Sequence, residues 1–116
     1  MKKFIFLFFV FGIFSLLFMS CNTNCNKISG TYSGTCEQGG NPGTGKLIIN
    51  SDCSATLTYD YGDYGRETEE GNIIKKGTSG IGYEFRTKDG QGVYELQIDN
   101  NVATIEGFHW HCVLGK

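Results

Sequence analysis

The sequence predicts an all-β protein, a small antiparallel meander of seven or eight strands that closes into a barrel. From Ile28 onward apolar and polar residues alternate with a period of two, and Gly, Asn and Asp separate the runs. No stretch of helical length in this part repeats apolar residues three and four apart, which argues against a helical domain. A closed barrel is favoured over a sandwich because closure leaves no free strand edges.

The predicted strands are short, and most have one apolar and one polar face. One face collects Ala55, Leu57, Tyr59 and Tyr61, another Ile81, Tyr83 and Phe85, and a third Tyr94, Leu96 and Ile98. Lys88–Gln91 and Asp99–Asn101 are hairpin turns by composition. The predicted strands are Ile28–Cys36, Gly45–Asn50, Ser54–Tyr61, a weak polar strand at Tyr64–Glu69, Asn72–Lys76, Ile81–Lys88, Gly92–Asp99 and Val102–Val113.

The last predicted strand and the weak polar strand each have an unusual feature. In the last strand Ile105 and Phe108 are core candidates of opposite parity, which a bulge at Gly107 would reconcile. Three acidic residues at the weak polar strand are expected in a solvated loop or edge: Glu67, Glu69 and Glu70.

The N-terminus has the layout of an export signal. Met1-Lys2-Lys3 precedes an uncharged apolar run from Phe4 to Met19, and no Lys or Arg follows at once as a stop. The run is shorter than the roughly 18 to 20 residues of a spanning helix, which favours a cleaved signal over residues 1–20. The remaining chain divides into a short tether at 21–27 and a barrel domain at 28–116.

The end of this signal, Leu16-Leu17-Phe18-Met19-Ser20-Cys21, resembles the lipobox of bacterial lipoproteins. The resemblance implies that Cys21 becomes the new N-terminus and receives acyl chains such as palmitate. It also implies a protein anchored to a bacterial membrane and facing the periplasm or the exterior. Each buried methylene contributes about 0.8 kcal/mol, so several chains would anchor the protein durably. The alternative is ordinary secretion, with Cys21 in a disulfide.

The other cysteines are an even number: Cys25, Cys36, Cys53 and Cys112. In an oxidising compartment two disulfides are expected, and the sequence leaves all three connectivities open. A zinc site is the rival interpretation, but the chain has no C-x-x-C pair.

Charge argues against nucleic acid as a partner. Residues 21–116 carry eight basic and twelve acidic residues, a formal charge of −4, and no Lys/Arg stripe. Phosphates would be repelled by such a surface.

The stretch Gly40-Asn41-Pro42-Gly43-Thr44-Gly45-Lys46-Leu47 matches the glycine and lysine positions of a phosphate-binding loop. That loop needs a Ser or Thr after the lysine and a following helix. Here Leu47 follows, and the next residues are strand-like. We therefore expect no nucleotide site, but a flexible connection that ends where Lys46 begins a strand.

Candidate catalytic and metal-binding residues are few, and we expect no enzyme activity and no cofactor. His109 and His111, two apart on a predicted strand, are weak candidates for a metal site. Asp60 and Asp63, flanked by tyrosines, are candidates for a carbohydrate-active carboxylate pair. The simpler interpretations are exposed strand histidines and a turn.

Ser79-Gly80-Ile81-Gly82-Tyr83 resembles the S-G-x-x-Y pattern of the membrane-bound inhibitors of chicken-type lysozyme. That family consists of small lipoprotein β-barrels with a disulfide from the first strand to the last. The resemblance implies that Ser79 and Lys88, together with Tyr83, lie at a contact with lysozyme. The alternative interpretation is a hairpin turn at Thr78-Ser79-Gly80.

The segment Ile28-Ser29-Gly30-Thr31-Tyr32 is also similar to the opening of lipocalins, with Tyr32 in place of their tryptophan. Fewer than 100 residues leave little room for a ligand inside such a barrel. The expected function is therefore a lipid-anchored, non-catalytic binding module of the cell envelope. A lysozyme inhibitor is the specific alternative, and a metal-binding or carbohydrate-active protein is a further one.

Overall fold

The computed structural model describes residues 24–107 and 109–116. These residues form an antiparallel barrel in which each strand pairs with the next and the first pairs with the last. The predicted all-β meander and its closure into a barrel are confirmed. The strands are β1 (Gly30–Gln38), β2 (Asn41–Ile49), β3 (Ser54–Asp60), β4 (Arg66–Lys75), β5 (Gly82–Thr87), β6 (Val93–Asp99), β7 (Val102–Gly107) and β8 (Trp110–Gly115).

The core fills the inside of the barrel because every strand turns alternate residues inward. On β3, for example, Ala55 and Leu57 are buried and Thr56 and Thr58 are not. The most deeply buried side chains include two aromatic residues, Tyr32 and Phe85, and aliphatic residues from several strands. Apart from Ile81, which precedes β5, the residues of the predicted apolar faces on the third, fifth and sixth strands lie in this core or pack against it.

Both predicted hairpin turns are confirmed. Asn100 and Asn101 join β6 to β7 with φ values of 50° and 65°, the two positive angles that a type I′ turn requires. Between β5 and β6, Asp89 accepts hydrogen bonds from the Thr87 hydroxyl at 2.6 Å and from Gln91 N at 3.0 Å. Asn100, Asn101 and Asp89 therefore form the turns that their residue types predict.

β4 is longer than predicted, because it unites the weak strand at Tyr64–Glu69 with the strand at Asn72–Lys76. Gly71 falls in the gap between the two predicted strands, yet it is a buried strand residue opposite Thr87 of β5. A Cβ at Gly71 would overlap the backbone carbonyl of Arg86. The glycine therefore allows a close approach of two strands and does not mark a turn.

The last predicted strand, Val102–Val113, is wrong as a single strand. It is a hairpin, in which Gly107 at the end of β7 pairs with Trp110 at the start of β8. His109 turns the chain with a φ of 56°. The parity change that suggested a bulge at Gly107 is thus a reversal of chain direction. The prediction for Phe108 lies outside the described residues.

The glycine-rich stretch after Gly39 is also strand and not a flexible connection. The β1–β2 turn consists of Gly39 and Gly40, which have φ values of 55° and 88°, and β2 begins at Asn41, five residues before Lys46. A Cβ at Gly45 would overlap the sulfur of Cys36. Gly45 leaves room for the disulfide of Cys36. The similarity of this stretch to a phosphate-binding loop gives no sign of that role.

Two disulfides form, as predicted, and the structure selects one of the three connectivities. Cys36 of β1 faces Cys112 of β8 as a register pair, with Cα atoms 4.0 Å apart, and links the strands that close the barrel. Cys25 is joined to Cys53 of the β2–β3 turn, with Cα atoms 5.1 Å apart. This second bridge fastens the segment before β1 to one end of the barrel.

The barrel therefore has two distinct ends. The N-terminal end carries residues 24–29 and the β2–β3, β4–β5 and β6–β7 turns; the distal end carries the β1–β2, β3–β4, β5–β6 and β7–β8 turns. Between Asn24 and Gly107 and from His109 to Lys116, no helix is long and apolar enough to cross a membrane. The predicted signal at 1–20 and the lipidation site at Cys21 lie outside the described residues.

Candidate functional site

The inside of the barrel changes character toward the distal end. Near the N-terminal end aliphatic residues predominate beside Tyr32 and Tyr83, whereas six polar or aromatic side chains gather at the distal end. We call these six the acidic–aromatic mouth: Tyr59, Tyr61, Glu67, Glu69, Tyr94 and Trp110. They come from β3, the β3–β4 loop, β4, β6 and β8, so that barrel closure alone brings them together.

The aromatic rings of the mouth form one continuous cluster. The Trp110 ring lies 5.6 Å from the Tyr59 ring and 5.1 Å from the Tyr94 ring, and Tyr59 is 5.6 Å from Tyr61. The Trp110 indole N–H donates to the Tyr61 hydroxyl. These tilted ring contacts fix the arrangement of the cluster. The indole N–H is directed at Tyr61, and the hydroxyls of Tyr59 and Tyr94 are directed at β4.

Two glutamates of β4 face these rings. The Tyr59 hydroxyl donates to Glu67 Oε2 at 2.6 Å, and the Tyr94 hydroxyl donates to Glu69 Oε1 at 3.1 Å. The other oxygen of Glu69, Oε2, is inaccessible to solvent and accepts no hydrogen bond from the described residues. A buried acceptor without a donor costs about 1 to 3 kcal/mol, so this oxygen calls for a partner.

No basic side chain among the described residues neutralises the two carboxylates of the mouth. Arg66 pairs with Asp60 and Lys88 with Glu70, and neither Glu67 nor Glu69 has an ion pair. Burial raises the pKa of Glu69, and the negative charges of Glu67 and Asp89 add to the effect against the Tyr94 hydrogen bond. The negative charge of Glu69 is therefore unfavourable in the folded protein.

The tyrosines stay neutral donors over the physiological range. Burial, followed by the hydrogen bond to Glu69, raises the pKa of Tyr94 to about 12. Burial also raises the pKa of Tyr59 above its ordinary value, and the bond to Glu67 acts in the same direction. Each hydroxyl thus donates to a carboxylate and fixes its orientation.

A lateral opening leads to Glu69 from outside. The β4–β5 ladder ends at the Gly71–Thr87 pair; beyond it Lys88 N donates to Glu70 O at 2.8 Å, and no further β5 pairing is found along Arg66–Glu69. An open depression of about 350 Å³ occupies the gap. Its walls are Thr68, Glu69 and Glu70 on one side and Thr87, Lys88 and Asp89 on the other.

The residues carried over from the lysozyme-inhibitor pattern do not come together. Ser79 lies in the β4–β5 loop at the N-terminal end, whereas Lys88 follows β5 at the distal end. The six residues of β5 separate them, a span of about 20 Å at 3.4 Å per residue. Tyr83 is partly buried near Ser79, and its hydroxyl lies 3.5 Å from Gly80 O.

The two histidines do not share a strand face either. His109 belongs to the β7–β8 turn, while His111 is an exposed residue of β8 whose Nε2 lies 3.8 Å from Glu37 Oε2. Within 24–107 and 109–116, no group of three His, Cys, Asp or Glu side chains is placed to hold a metal ion. The strand spacing that suggested a metal site is thus not met.

Asp60 and Asp63 are the candidate carbohydrate-active pair, and Asp60 makes its contacts within its own loop. Asp60 Oδ1 accepts from Gly62 N at 2.8 Å, and its Oδ2 lies 3.8 Å from Arg66 Nε. Asp63 lies in a single turn of 3-10 helix, Gly62–Tyr64, and is exposed. Asp60 therefore shapes the β3–β4 loop.

Glu67 and Glu70 are exposed, as the sequence predicts, whereas Glu69 is partly buried and faces the interior, contrary to the expected solvated loop or edge. Glu69 is therefore the site residue that the sequence prediction missed. Counting back by twos from Ile73 through Gly71 places Glu69, and Glu67 beyond it, on the inward side of β4. That parity was readable, but only for a strand that does not stop at Gly71.

No known protein family, curated protein or solved structure matches this chain.

Proposed function

We propose that this protein is a lipid-anchored, non-catalytic binding protein of a bacterial cell envelope, and that the acidic–aromatic mouth is its binding site. The observation that carries the proposal is the buried, unpartnered Oε2 of Glu69 beside a cluster of aromatic rings. Folding leaves this acceptor unsatisfied at a cost, and a ligand that donates a hydrogen bond would remove that cost. Binding sites often carry such local instability.

The position of the mouth suits display from a membrane. Cys21, the proposed lipid attachment site, precedes Asn24 by three residues, which span at most about 11 Å. The lipid would thus hold the N-terminal end of the barrel near the bilayer and turn the distal end outward. Lys27, Lys75 and Lys116 lie at that N-terminal end, where they would face anionic lipid headgroups.

The two disulfides support an exported protein, because such bonds persist in oxidising compartments. The mass of the mature protein from the membrane fraction tests this part. We expect a chain that begins at Cys21 and carries acyl groups, and release of the Cys21→Ser variant into the soluble fraction. An unacylated membrane-bound chain, or one that retains residues 1–20, would contradict lipid anchoring.

Chemical-shift mapping tests the site. The Cys21→Ser protein is suitable because Cys21 belongs to neither disulfide. We expect a soluble extract of the host's cell envelope to shift the indole N–H of Trp110, the sole tryptophan, and the amides of Glu69 and Tyr94. Shifts confined to the N-terminal end, for example at Tyr83 and Ile28, would refute the mouth as the site.

A lysozyme inhibitor is a second candidate, favoured by one observation. The Cys36–Cys112 bridge links the first strand to the last, as the resemblance to that family implies. The separation of Ser79 and Lys88 along β5 weighs against one contact that uses both.

A lysis assay with chicken-type lysozyme separates the two candidates. The binding-protein proposal expects unchanged lysis in the presence of excess Cys21→Ser protein. If lysis is inhibited, Ser79→Ala and Lys88→Ala should be compared, because only one end of the barrel can contact a compact partner. Inhibition that requires Ser79 would move the functional site to the N-terminal end and refute the mouth.

A further inference from the structure

The unpartnered oxygen of Glu69 also restricts the chemistry of the ligand, provided that the mouth is the binding site proposed above. Oε2 lacks a donor, so the ligand must carry an N–H or O–H group. Glu67 and Glu69 have no ion pair among the described residues, which favours a positively charged donor over a neutral hydroxyl. A quaternary ammonium has the charge but donates no hydrogen bond.

The geometry of the carboxylate distinguishes between the two common cationic donors. A guanidinium prefers to bind both oxygens of a carboxylate at once. Oε1 of Glu69 already accepts from the Tyr94 hydroxyl at 3.1 Å, which leaves Oε2 alone for the ligand. A primary ammonium, a compact charge with rotatable donors, suits a single free oxygen better.

The rings beside Glu69 favour the same group. The Tyr94 hydroxyl donates to Glu69 Oε1, and the Tyr94 ring lies 5.1 Å from the Trp110 ring, so the aromatic cluster adjoins this carboxylate. Aromatic rings attract cations. The depression of about 350 Å³ between β4 and the β5–β6 turn reaches Glu69 and leaves room for an alkyl chain. Thr87, which is buried, forms part of its wall.

We propose that the acidic–aromatic mouth binds a primary alkylammonium group, which enters between β4 and the β5–β6 turn and donates a hydrogen bond to Glu69 Oε2. Because Oε2 is inaccessible to solvent in the structure, the β5–β6 turn must move away from β4 to admit the group. The chain's own Lys88 lines the same opening, but its ammonium lies 3.8 Å from Glu70 Oε2 on the outer face. Lys88 therefore borders the entrance and leaves Glu69 to the ligand.

The test is a titration of the Cys21→Ser protein with n-butylammonium chloride, followed by the fluorescence and the indole N–H resonance of Trp110. Sodium chloride and tetramethylammonium chloride at equal ionic strength are the reference salts. We expect a saturable change with butylammonium and none with either reference salt. A response to tetramethylammonium equal to that of butylammonium would overturn the hydrogen bond to Oε2.

Matched variants locate the site. Glu69→Gln should weaken butylammonium binding by about tenfold or more, the effect of losing one charge-assisted hydrogen bond. Glu95→Gln removes an exposed carboxylate from the outer face of β6, away from the depression, and should leave binding within about twofold of the parent. Equal losses in both variants would show a general charge effect and refute the assignment to Glu69.

Three further outcomes would each refute part of the proposal. Lys88→Met should bind butylammonium at least as well as the parent; binding that appears only in Lys88→Met would mean that Lys88 fills the site, against the proposal. If the envelope extract shifts Trp110 and Glu69 but butylammonium does not, the mouth remains the site and the ammonium assignment fails. If neither shifts them, the proposed function fails as well.

The source of the ammonium group can be tested in the same way. N-acetyl-lysine methylamide and N-acetyl-norleucine methylamide differ in the amine and share the peptide groups. A response to the lysine compound alone supports an ammonium presented by a protein or peptide side chain. Equal responses to both would refute recognition of the ammonium group.

Discussion

Replacing Glu69 by glutamine should stabilise the protein in the absence of ligand. The buried Oε2 has no donor, and an unsatisfied buried acceptor costs about 1 to 3 kcal/mol. Glutamine keeps the oxygen that accepts from Tyr94 and removes the charge, but it leaves an amide group to be hydrated. We therefore expect a gain of about 1 kcal/mol at pH 7, equal to a rise in Tm of roughly 4 to 8 °C for a domain of this size.

The gain should depend on pH in a defined direction. Burial, aided by the charges of Glu67 and Asp89, raises the pKa of Glu69 above its ordinary value of 4.5. In the wild type, the stabilising effect of protonated Glu69 is complete below pH 4.5 and is lost as the pH rises through the higher folded-state pKa. The advantage of Glu69→Gln should thus appear at pH 7 and shrink toward zero at pH 4.

Urea denaturation at the two pH values, followed by the fluorescence of Trp110, measures both effects. Glu70→Gln is the matched control, because it removes an exposed carboxylate paired with Lys88 and should change stability by less than about 0.5 kcal/mol. A Glu69→Gln protein that is less stable than the parent at pH 7, or a gain that is the same at pH 4, would refute the account of an unsatisfied, charged Glu69.

The remaining predictions concern the barrel that positions the mouth. Gly45→Ala should cost about 1 to 3 kcal/mol in thermal or urea denaturation, because its Cβ would overlap Cys36 Sγ, whereas Gly115→Ala, which meets open space, should be neutral; equal effects would contradict this explanation. Removing Cys36–Cys112 with alanines should cost about 4.5 kcal/mol and removing Cys25–Cys53 about 3.5 kcal/mol, given their separations of 76 and 28 residues; the reverse order would contradict the loop-entropy reasoning. Spectrophotometric titration of the tyrosines should lose, in Tyr94→Phe, a component that ionises near pH 12, and a lost component near pH 10 would show that neither burial nor Glu69 raises the pKa of Tyr94.

Most of the fold was readable because period-two patterns and turn chemistry act locally. The alternation from Ala55 to Leu57 and the Asn100-Asn101 turn each specify their own conformation. The sequence predictions were wrong where a glycine makes room for a residue that lies on another strand. Gly71 resembles a turn residue but admits β5, and Gly45 resembles a loop residue but makes room for a disulfide.

The mouth was harder to predict than the fold. Its residues come from four strands and one loop, and their proximity depends on how the barrel closes, which no single segment specifies. The hairpin reversal at His109 was also hidden, because positive φ is uncommon for any residue other than glycine. Only the inward parity of Glu67 and Glu69 was available from sequence, and it required β4 to be recognised as one strand.

Photo-crosslinking in intact cells tests the central claim, that the distal end of the barrel is the binding end, most directly. Benzoylphenylalanine would replace Tyr64, which is 78% exposed in the β3–β4 loop, or Val102, which is 40% exposed at the β6–β7 turn. Both variants keep Cys21 and therefore the proposed lipid. The account predicts a specific product from position 64, reduced by Glu69→Gln, and none from position 102. A product from position 102 alone would contradict it.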